Sequence, residues 1–464
     1  MNRTRSSLKS GSAGFLDTVY NSLAGQAPAY SIASGAAFIM GSSYAASPLA
    51  MLITMMAVMP VVYAVYTLSR RYLHAASFYK YTAEGIGRPA GFLNGVFYTV
   101  FYSLIGLGSV AVAFAYLGAE GIYAISGIQI NPILLFLLPI IVALPIAYFG
   151  IRPSVKVELS LTSFEIAVLA LFSILSIIYN VDHMSVLPFT LQGTFSSSPS
   201  GILAALSGGL VFGITYFMGF EVSTQLSEEA KNPRATVPRA TTISTLMMGT
   251  LYVLVMYAMV LDMGMSQSGI SSFVTQAQGL GPNPVYTLVG QYLGRVGMIL
   301  FAASIMLSVF GSYLATLNAT ARMFYGMARD GMSPSFFSHV NARHGSPHVA
   351  LIFSSAVAVF AAGITYIIAF ASGYSGIQMT YNAMEYSYAI DSFYYVFSLI
   401  LIALSAFRIA PKMGKAVVIA GAALLSITFY YSIVYLPYLY IFLGSTFLTI
   451  LAYLAFYRNK KLNN

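Results

Sequence analysis

GITYFMGFEVSTQLSEEAKNPRATVPR, running from Gly213 to Arg239, is an apolar stretch that holds two glycines and the carboxylate Glu221 and then enters a charged loop bounded by prolines. An acid inside a membrane span marks a functional site by default, because an ionised side chain in hydrocarbon is costly unless it is put to use. Glycine lowers helix stability by about 1 kcal/mol relative to alanine. Backbone released from a helix at bilayer depth is tolerated only where it is buried in protein or lines a cavity. The stretch therefore reads either as a helix interrupted at a ligand site or as a glycine-packed helix around a paired core acid.

The rest of the chain puts this stretch in a membrane. With 58% hydrophobic and 8% charged residues over 464 positions and a mean hydropathy of +0.78, there is too little polar surface to cover a soluble globule. Apolar runs fall at about 21–43, 47–69, 91–118, 131–150, 158–180, 202–226, 239–262, 293–327, 348–370, 388–408, 416–435 and 437–457. Each is near the ~20 residues a helix needs to cross a bilayer, which predicts an all-α polytopic membrane protein of twelve transmembrane helices. If the amino terminus is inside, every Lys and Arg except Arg295 falls on the inner side, so both termini are expected in the cytoplasm of a cell whose plasma membrane the chain crosses. The net charge of +9 is spread through short loops and forms no patch, so no nucleic-acid partner is expected. Residues 1–20 are basic and polar without an apolar core of their own, and read as a cytoplasmic tail instead of a cleaved signal.

Absent residue types narrow the chemistry. Without cysteine there are no disulfides and no sulfur-ligated metals, and the five histidines fall in loops without the spacing of a zinc helix. No metal centre and no cofactor are expected. In the absence of tryptophan, 35 tyrosines and 32 phenylalanines are left to serve as interfacial anchors and pocket walls. Asn318 has an acceptor sequence for glycosylation but lies inside a predicted span.

The first span, APAYSIASGAAFIMG, carries Pro28, Ser31, Ser34, Gly35 and Gly41 where a lipid-facing helix would hold leucine. Five spans later, and so in the opposite orientation, comes the Gly213–Glu221 segment. Paired interrupted helices at matching places in two halves point to an inverted-repeat transporter. The organisation expected is a tail (1–20), a core (21–410, with repeats at about 21–180 and 202–410), two peripheral helices (411–457) and a second tail (458–464). No residue-level identity links the halves, so the repeat rests on spacing and topology. Interruptions free N–H groups for a carboxylate and carbonyls for an ammonium or cation, and small residues let a ligand approach the backbone. Close helix packing through Ser31 and Gly35 fits the first span equally well.

Four stretches resemble the amino acid–polyamine–organocation permeases. GFEVSTQLSEEAKNPRATVPRA (Gly219–Ala240) is similar to that family's sixth span and following loop, and LNATARMFYGMARDGMSPSFF (Leu317–Phe337) to its eighth. AGQAPAYSIASG (Ala24–Gly35) and HAASFYKYTAEGIGRPAGFLNG (His74–Gly95) resemble its first span and first inner loop. The resemblance implies a leucine-transporter-like fold of five plus five helices with two added, and an amino acid held between interrupted helices 1 and 6. Carried over, the backbone of Ser31, Ile32, Ala33, Ser34 and Gly35 would hold the substrate carboxylate, while carbonyls of Gly213, Ile214, Thr215, Tyr216 and Phe217 would face its ammonium. Some members place a tryptophan gate where this chain has Thr215, which leaves Tyr216 or Phe217 as the aromatic lid and counts against arginine-type specificity.

Two acids are candidates for coupling. Glu221 reads as a titrating group linked to occupancy or as a hydrogen-bonded brace. Glu165, where some relatives carry a lysine, reads as a proton carrier, as part of a Na⁺ site with the hydroxyls of Ser308 and Ser312, or as a packing carboxylate. Glu228, Glu229, Lys231, Arg329 and Asp330 read as inner-gate ion pairs or solvated loop, and Tyr98, Tyr102, Tyr394 and Tyr395 as packing. Asp391 reads as an acid facing an outer vestibule or the headgroups. No pocket acid is placed to demand a cationic substrate and no basic residue lies deep in a span to demand an acidic one, so a neutral or broadly accepted amino acid is the expectation. The function expected is secondary transport of amino acids by proton-coupled symport or exchange, without covalent catalysis. The rivals are sodium coupling, polyamine or other organic-ion substrates, and a membrane amino acid sensor. A channel would need charged rings or a filter loop, and neither recurs here.

Overall fold

A chain in hydrocarbon must satisfy its own backbone groups, and the helix does this within each segment. The computed structural model describes residues 7–277, 283–434 and 438–462, and is helical apart from one isolated bridge between Ala13 and Ala230. Arg3 and Arg5 lie outside the described residues, as do the last two residues of the second tail. In order, the helices are α1 (Phe15–Gln26), α2 (Pro28–Ser43), α3 (Ser47–Arg71), α4 (Ser77–Gly85), α5 (Arg88–Val96) and α6 (Ile105–Ser126). There follow α7 (Ile133–Phe136), α8 (Leu138–Tyr148), α9 (Ile151–Tyr179), α10 (Pro199–Thr215), α11 (Pro233–Asp262) and α12 (Gln267–Ala277). The last five are α13 (Val285–Arg329), α14 (His348–Ala371), α15 (Gly376–Phe407), α16 (Lys412–Val434) and α17 (Tyr438–Leu462).

Eight continuous helical segments among the described residues are long and apolar enough to cross a membrane, and Ile133–Tyr148, Pro199–Thr215 and Leu439–Ala455 are shorter apolar helices. One of the eight, Phe15–Arg71, is two passes. Its halves flank α10, which runs antiparallel to α2 and parallel to α3. Phe212 stacks on Phe38 at 5.3 Å and Gly208 faces Ser42, whereas Gly209 faces Ala50 and Gly213 faces Thr54. A Cβ at Gly213 would lie 2.6 Å from Thr54 Oγ1, so this glycine lets α10 sit against α3. Among the described residues the twelve apolar runs fall largely on helices, with interruptions at Ala27 in the run 21–43, at Leu137 in the run 131–150, and over 216–221 in the run 202–226, which ends in a 3₁₀ turn, Val222–Leu226.

Local sequence accounts for the departures from straight helix. Residues 97–104 form a π-helical stretch that joins α5 to α6, a distortion often found at functional sites. Gly294 kinks α13 with φ 56°. Periodicity alone did not predict the amphipathic connectors α4 and α12. In the core, α1 and α2 are surrounded by α3, α9, α10, α11 and α13, while α6 and α15 pack against each other on one side.

Candidate functional site

Pro28 determines where the first pass breaks. It has no N–H to donate and sits at the first position of α2, so α1 stops at Gln26 and Ala27 turns left-handed (φ 45°, ψ 69°). The Ala27 N–H bonds back to Leu23 O and Ala24 O at 3.1 and 3.2 Å, and the Ser31 N–H donates to Ala27 O at 2.9 Å. The break therefore precedes the expected segment by four residues. Ser31, Ile32, Ala33, Ser34 and Gly35 lie inside α2 with their amides used by the helix, and their backbone is not free to hold a carboxylate. The free amides belong to Ala29, which donates to Glu165 Oε2 at 3.3 Å, and to Tyr30, which donates to Ser308 Oγ at 3.1 Å.

The other interruption lies later than expected. α10 continues through Thr215, and the chain turns over 216–221, with Gly219 at φ +93°. The two interruptions meet backbone to backbone. A Cβ at Gly25 would lie 2.7 Å from Gly219 O, and one at Gly219 would strike the Gly25 backbone. Only glycine permits this approach from both sides.

Next to this junction is a cavity of about 60 Å³ with Gly25, Ala27, Ser31, Ser34, Thr215 and Ser312 in its wall on one side and Tyr102, Gly106 and Asp391 among its other residues. A chamber of about 510 Å³ adjoins it, sharing Tyr30, Ser34, Thr215 and Tyr388 and adding Gly35, Phe38, Ile214 and Glu385. Ser31, Ser34, Gly35, Ile214 and Thr215 thus wall one space or the other. Ile32 and Ala33 are core residues and Gly213 serves α3. Tyr216 and Phe217 pack on Tyr252, with ring centroids at 4.9 and 5.9 Å. Because α10 runs on through Thr215, these rings turn toward α11. The aromatics common to both spaces are Tyr30 and Tyr388.

Glu221 is fully buried and accepts three hydrogen bonds. Tyr98 OH donates to Oε1 at 2.8 Å, while Tyr395 OH and the Gly219 N–H donate to Oε2 at 2.8 and 3.1 Å. Tyr98 and Tyr395 therefore do more than pack: they fasten the π-helical stretch and α15 to the turn through one carboxylate. Tyrosine-rich apolar helices carry no sequence signal that distinguishes such a hydroxyl from its neighbours. Glu165, 1% exposed on α9, faces the start of α2 with Ser308 alongside. Ser312 Oγ donates to Gly25 O at 3.4 Å. Asp391 is neither at the headgroups nor in an open vestibule. It is 3% exposed in the cavity wall, where Ser392 Oγ donates to its Oδ1 at 3.3 Å. Among the described residues, no three His, Cys, Asp or Glu side chains are grouped to hold a metal ion.

Ion pairs close the end of the bundle that bears the basic loops. Arg322 and Glu229, each 1% exposed, pair through Nε and through Nη2 (3.1 Å to Oε1), and Arg322 Nη1 also donates to Asn318 O at 2.9 Å. Arg329 forks onto Glu228 at 2.6 and 2.7 Å, and His74 Nε2 lies 3.3 Å from Asp330. Burial alone would raise the Glu228 carboxyl, but the Arg329 fork and the Ala75 N–H at 2.8 Å outweigh it and hold the group below its ordinary range. Asp330 is likewise held low, because its bond to His74 and the nearby basic groups of His74, Lys80 and Arg329 together outweigh burial. The segment ahead of α1 is stitched in as well, with Ala13 N–H to Glu229 O at 3.0 Å and Lys231 N–H to Ala13 O at 2.8 Å.

Comparison with known proteins adds the family. The chain is 26% identical over 303 residues to the branched-chain amino acid permease BcaP of Bacillus subtilis, covering 60% of this chain and 59% of BcaP. It is 27% identical over 241 residues to the vacuolar cationic amino acid transporter 4 of Arabidopsis thaliana, covering 52% and 37%. The chain thus spans less than two thirds of the length of these curated relatives. Similar solved structures include the Eremococcus coleocola manganese transporter (TM-score 0.57, 15% identity, 98% of this chain and 96% of that one) and MhsT in complex with L-phenylalanine (0.57, 15%, 90% and 98%). At these identities the likeness establishes the fold alone, the leucine-transporter-like arrangement of helices. The amino acid permease model matches residues 18–458, nearly the whole sequence, and the chain belongs to that family.

Proposed function

We propose that the chain is a secondary active transporter that moves amino acids across the plasma membrane by alternating access, with both termini cytoplasmic, in symport with protons or by exchange. One observation carries this reading: a small polar cavity lies where α1 stops, α2 starts and α10 ends. Ser31, Ser34, Thr215 and Ser312 offer hydroxyls there, and the ends of α1 and α10 supply backbone carbonyls for an ammonium. Tyr30 and Tyr388, which border both spaces, separate the cavity from the outer chamber. The ion pairs of Arg322 and Arg329 and the His74–Asp330 contact form the cytoplasmic gate. BcaP and the Arabidopsis transporter are named for amino acids, which supports the substrate class, although the two names differ on the side chain.

A proton is favoured as the coupling ion because the groups a cation would need are already engaged. The start of α2 presents N–H groups and the positive end of its dipole to Glu165, an environment suited to a carboxylate and hostile to Na⁺. Sodium is the second reading, since Ser312 and the Gly25 carbonyl adjoin the same junction. A Na⁺-coupled sialic acid symporter has a similar fold, with a TM-score of 0.54 at 14% identity. Reconstitution into liposomes with pH and Na⁺ gradients imposed separately tests both readings. Accumulation of an amino acid driven by the pH gradient alone is the expected result. Accumulation only with Na⁺ would replace the coupling ion, and uptake of no amino acid under either gradient would end the transport reading.

A further inference from the structure

We propose that Asp391 reads a positive charge on the side chain of the transported molecule, so that the preferred substrates are amino acids with a basic side chain. This rests on the reading above that the chain carries amino acids. Asp391 projects from α15 into the cavity wall and is 3% exposed. Its hydrogen bonds among the described residues come from the adjacent Ser392 alone, from Oγ to Oδ1 at 3.3 Å and from the backbone. Oδ2 points toward Gly106, where a Cβ would sit 3.3 Å away, so the missing side chain leaves room beside the free oxygen. A desolvated carboxylate with so little support is costly unless it is protonated or meets a cation.

The surroundings favour a cation brought by the substrate. The walls of the cavity and the adjoining chamber hold Asp391 and Glu385 and contain no Lys, Arg or His. Glu385, Tyr388 and Asp391 recur every three residues along α15, which stacks them on one helix face. A molecule passing from the chamber into the cavity meets one carboxylate, then an aromatic ring that can cover a cation, then the second carboxylate. The two ends of the site also differ in kind. The interruption end has hydroxyls and backbone groups suited to the zwitterionic part of any amino acid, whereas the α15 wall supplies net negative charge. An acidic side chain would be repelled there, and a neutral one would leave Asp391 unpaired.

Lysine and norleucine share a carbon chain and differ in the terminal ammonium, so they isolate this interaction. Binding of each to the purified full-length protein, together with competition for uptake in proteoliposomes, should show lysine effective at a concentration at least about tenfold below norleucine. Asp391→Asn should lose that preference by weakening lysine at least about tenfold while norleucine stays within about twofold. Norleucine binding by this variant also reports that the site is folded. Asp391→Glu should keep the preference. Equal affinity in the parent, a preference for norleucine, or equal weakening of both ligands by Asp391→Asn would overturn the inference. The last outcome would give Asp391 to the α-ammonium or a coupling cation. Binding of neutral amino acids alone refutes this inference and leaves transport standing, whereas failure of every amino acid to bind refutes both.

Discussion

Gly35 and Tyr216 occupy one space. A Cβ at Gly35 would lie 2.5 Å from Tyr216 Cε2 and 2.9 Å from its hydroxyl, so any side chain there displaces a buried ring and anything larger than alanine intrudes on the chamber. Gly35→Leu is expected to weaken substrate binding at least about tenfold through overpacking of roughly 1–3 kcal/mol, and a Gly35→Leu, Tyr216→Ala double variant should recover part of the loss. Wild-type affinity in correctly inserted Gly35→Leu would show that the chamber is not on the substrate's path. Glu228 allows a pH test at the same scale. Its folded pKa lies below the unfolded value, so its pairing with Arg329 is fully present above the ordinary carboxylate range of about 4.3 and is lost only as pH falls through the depressed value. Hydrogen exchange of residues 226–232 should therefore be the same at pH 7 and pH 5.5 once corrected for intrinsic rates. Opening of that segment at pH 5.5 would contradict the assignment. Individual residues were unevenly legible in the sequence. Glu221 and Glu165 stood out as acids in apolar runs, while Tyr98 and Tyr395 did not, because a tyrosine's hydroxyl partner is decided by packing between distant helices.

At the scale of elements, periodicity located the spans well and their interruptions less well. Pro28 and the small residues after it suggested a break; it falls at Pro28, ahead of Ser31–Gly35, and the small residues instead keep α2 thin where Tyr216 and the chamber lie against it. In the same way Gly213 marks a helix contact and Gly219 the actual turn, a distinction that depends on which helix lies opposite. Gly219→Ala is expected to abolish folding or insertion, since the residue has φ +93° and no room beside Gly25; a well-expressed, active variant would refute the backbone junction. The latch between α13 and the loop after the turn was half visible, as acids and arginines of opposite sign without their pairing. Removing one partner of the buried Arg322–Glu229 pair leaves an uncompensated charge. Arg322→Met alone should therefore destabilise the purified protein by about 3–5 kcal/mol, and Arg322→Met with Glu229→Leu by much less. Equal melting temperatures for the single variant and the parent would show that the pair is not buried in solution.

Across the whole molecule, the end bearing the basic loops is shut by two arginine–glutamate pairs, by the His74–Asp330 contact and by the segment around Ala13, while the large chamber adjoins the cavity from the other side. Transport requires the reverse arrangement as well. A coupling group must differ in protonation free energy between the two, because a group indifferent to the change biases nothing. In the reading proposed above, Glu165 is that group: it accepts from the first amide of α2, a contact that a movement of α2 relative to α9 would change. Glu165→Gln imitates the protonated acid, keeping size and an acceptor while removing charge. The decisive measurement compares this variant with the parent in proteoliposomes, with substrate counterflow recorded beside accumulation driven by an imposed pH gradient. The variant should retain counterflow, showing an intact site and an intact conformational cycle, and should fail to concentrate substrate above equilibrium. A Glu165→Gln protein that accumulates substrate as steeply as the parent, with the same pH dependence, would contradict coupling at the start of α2.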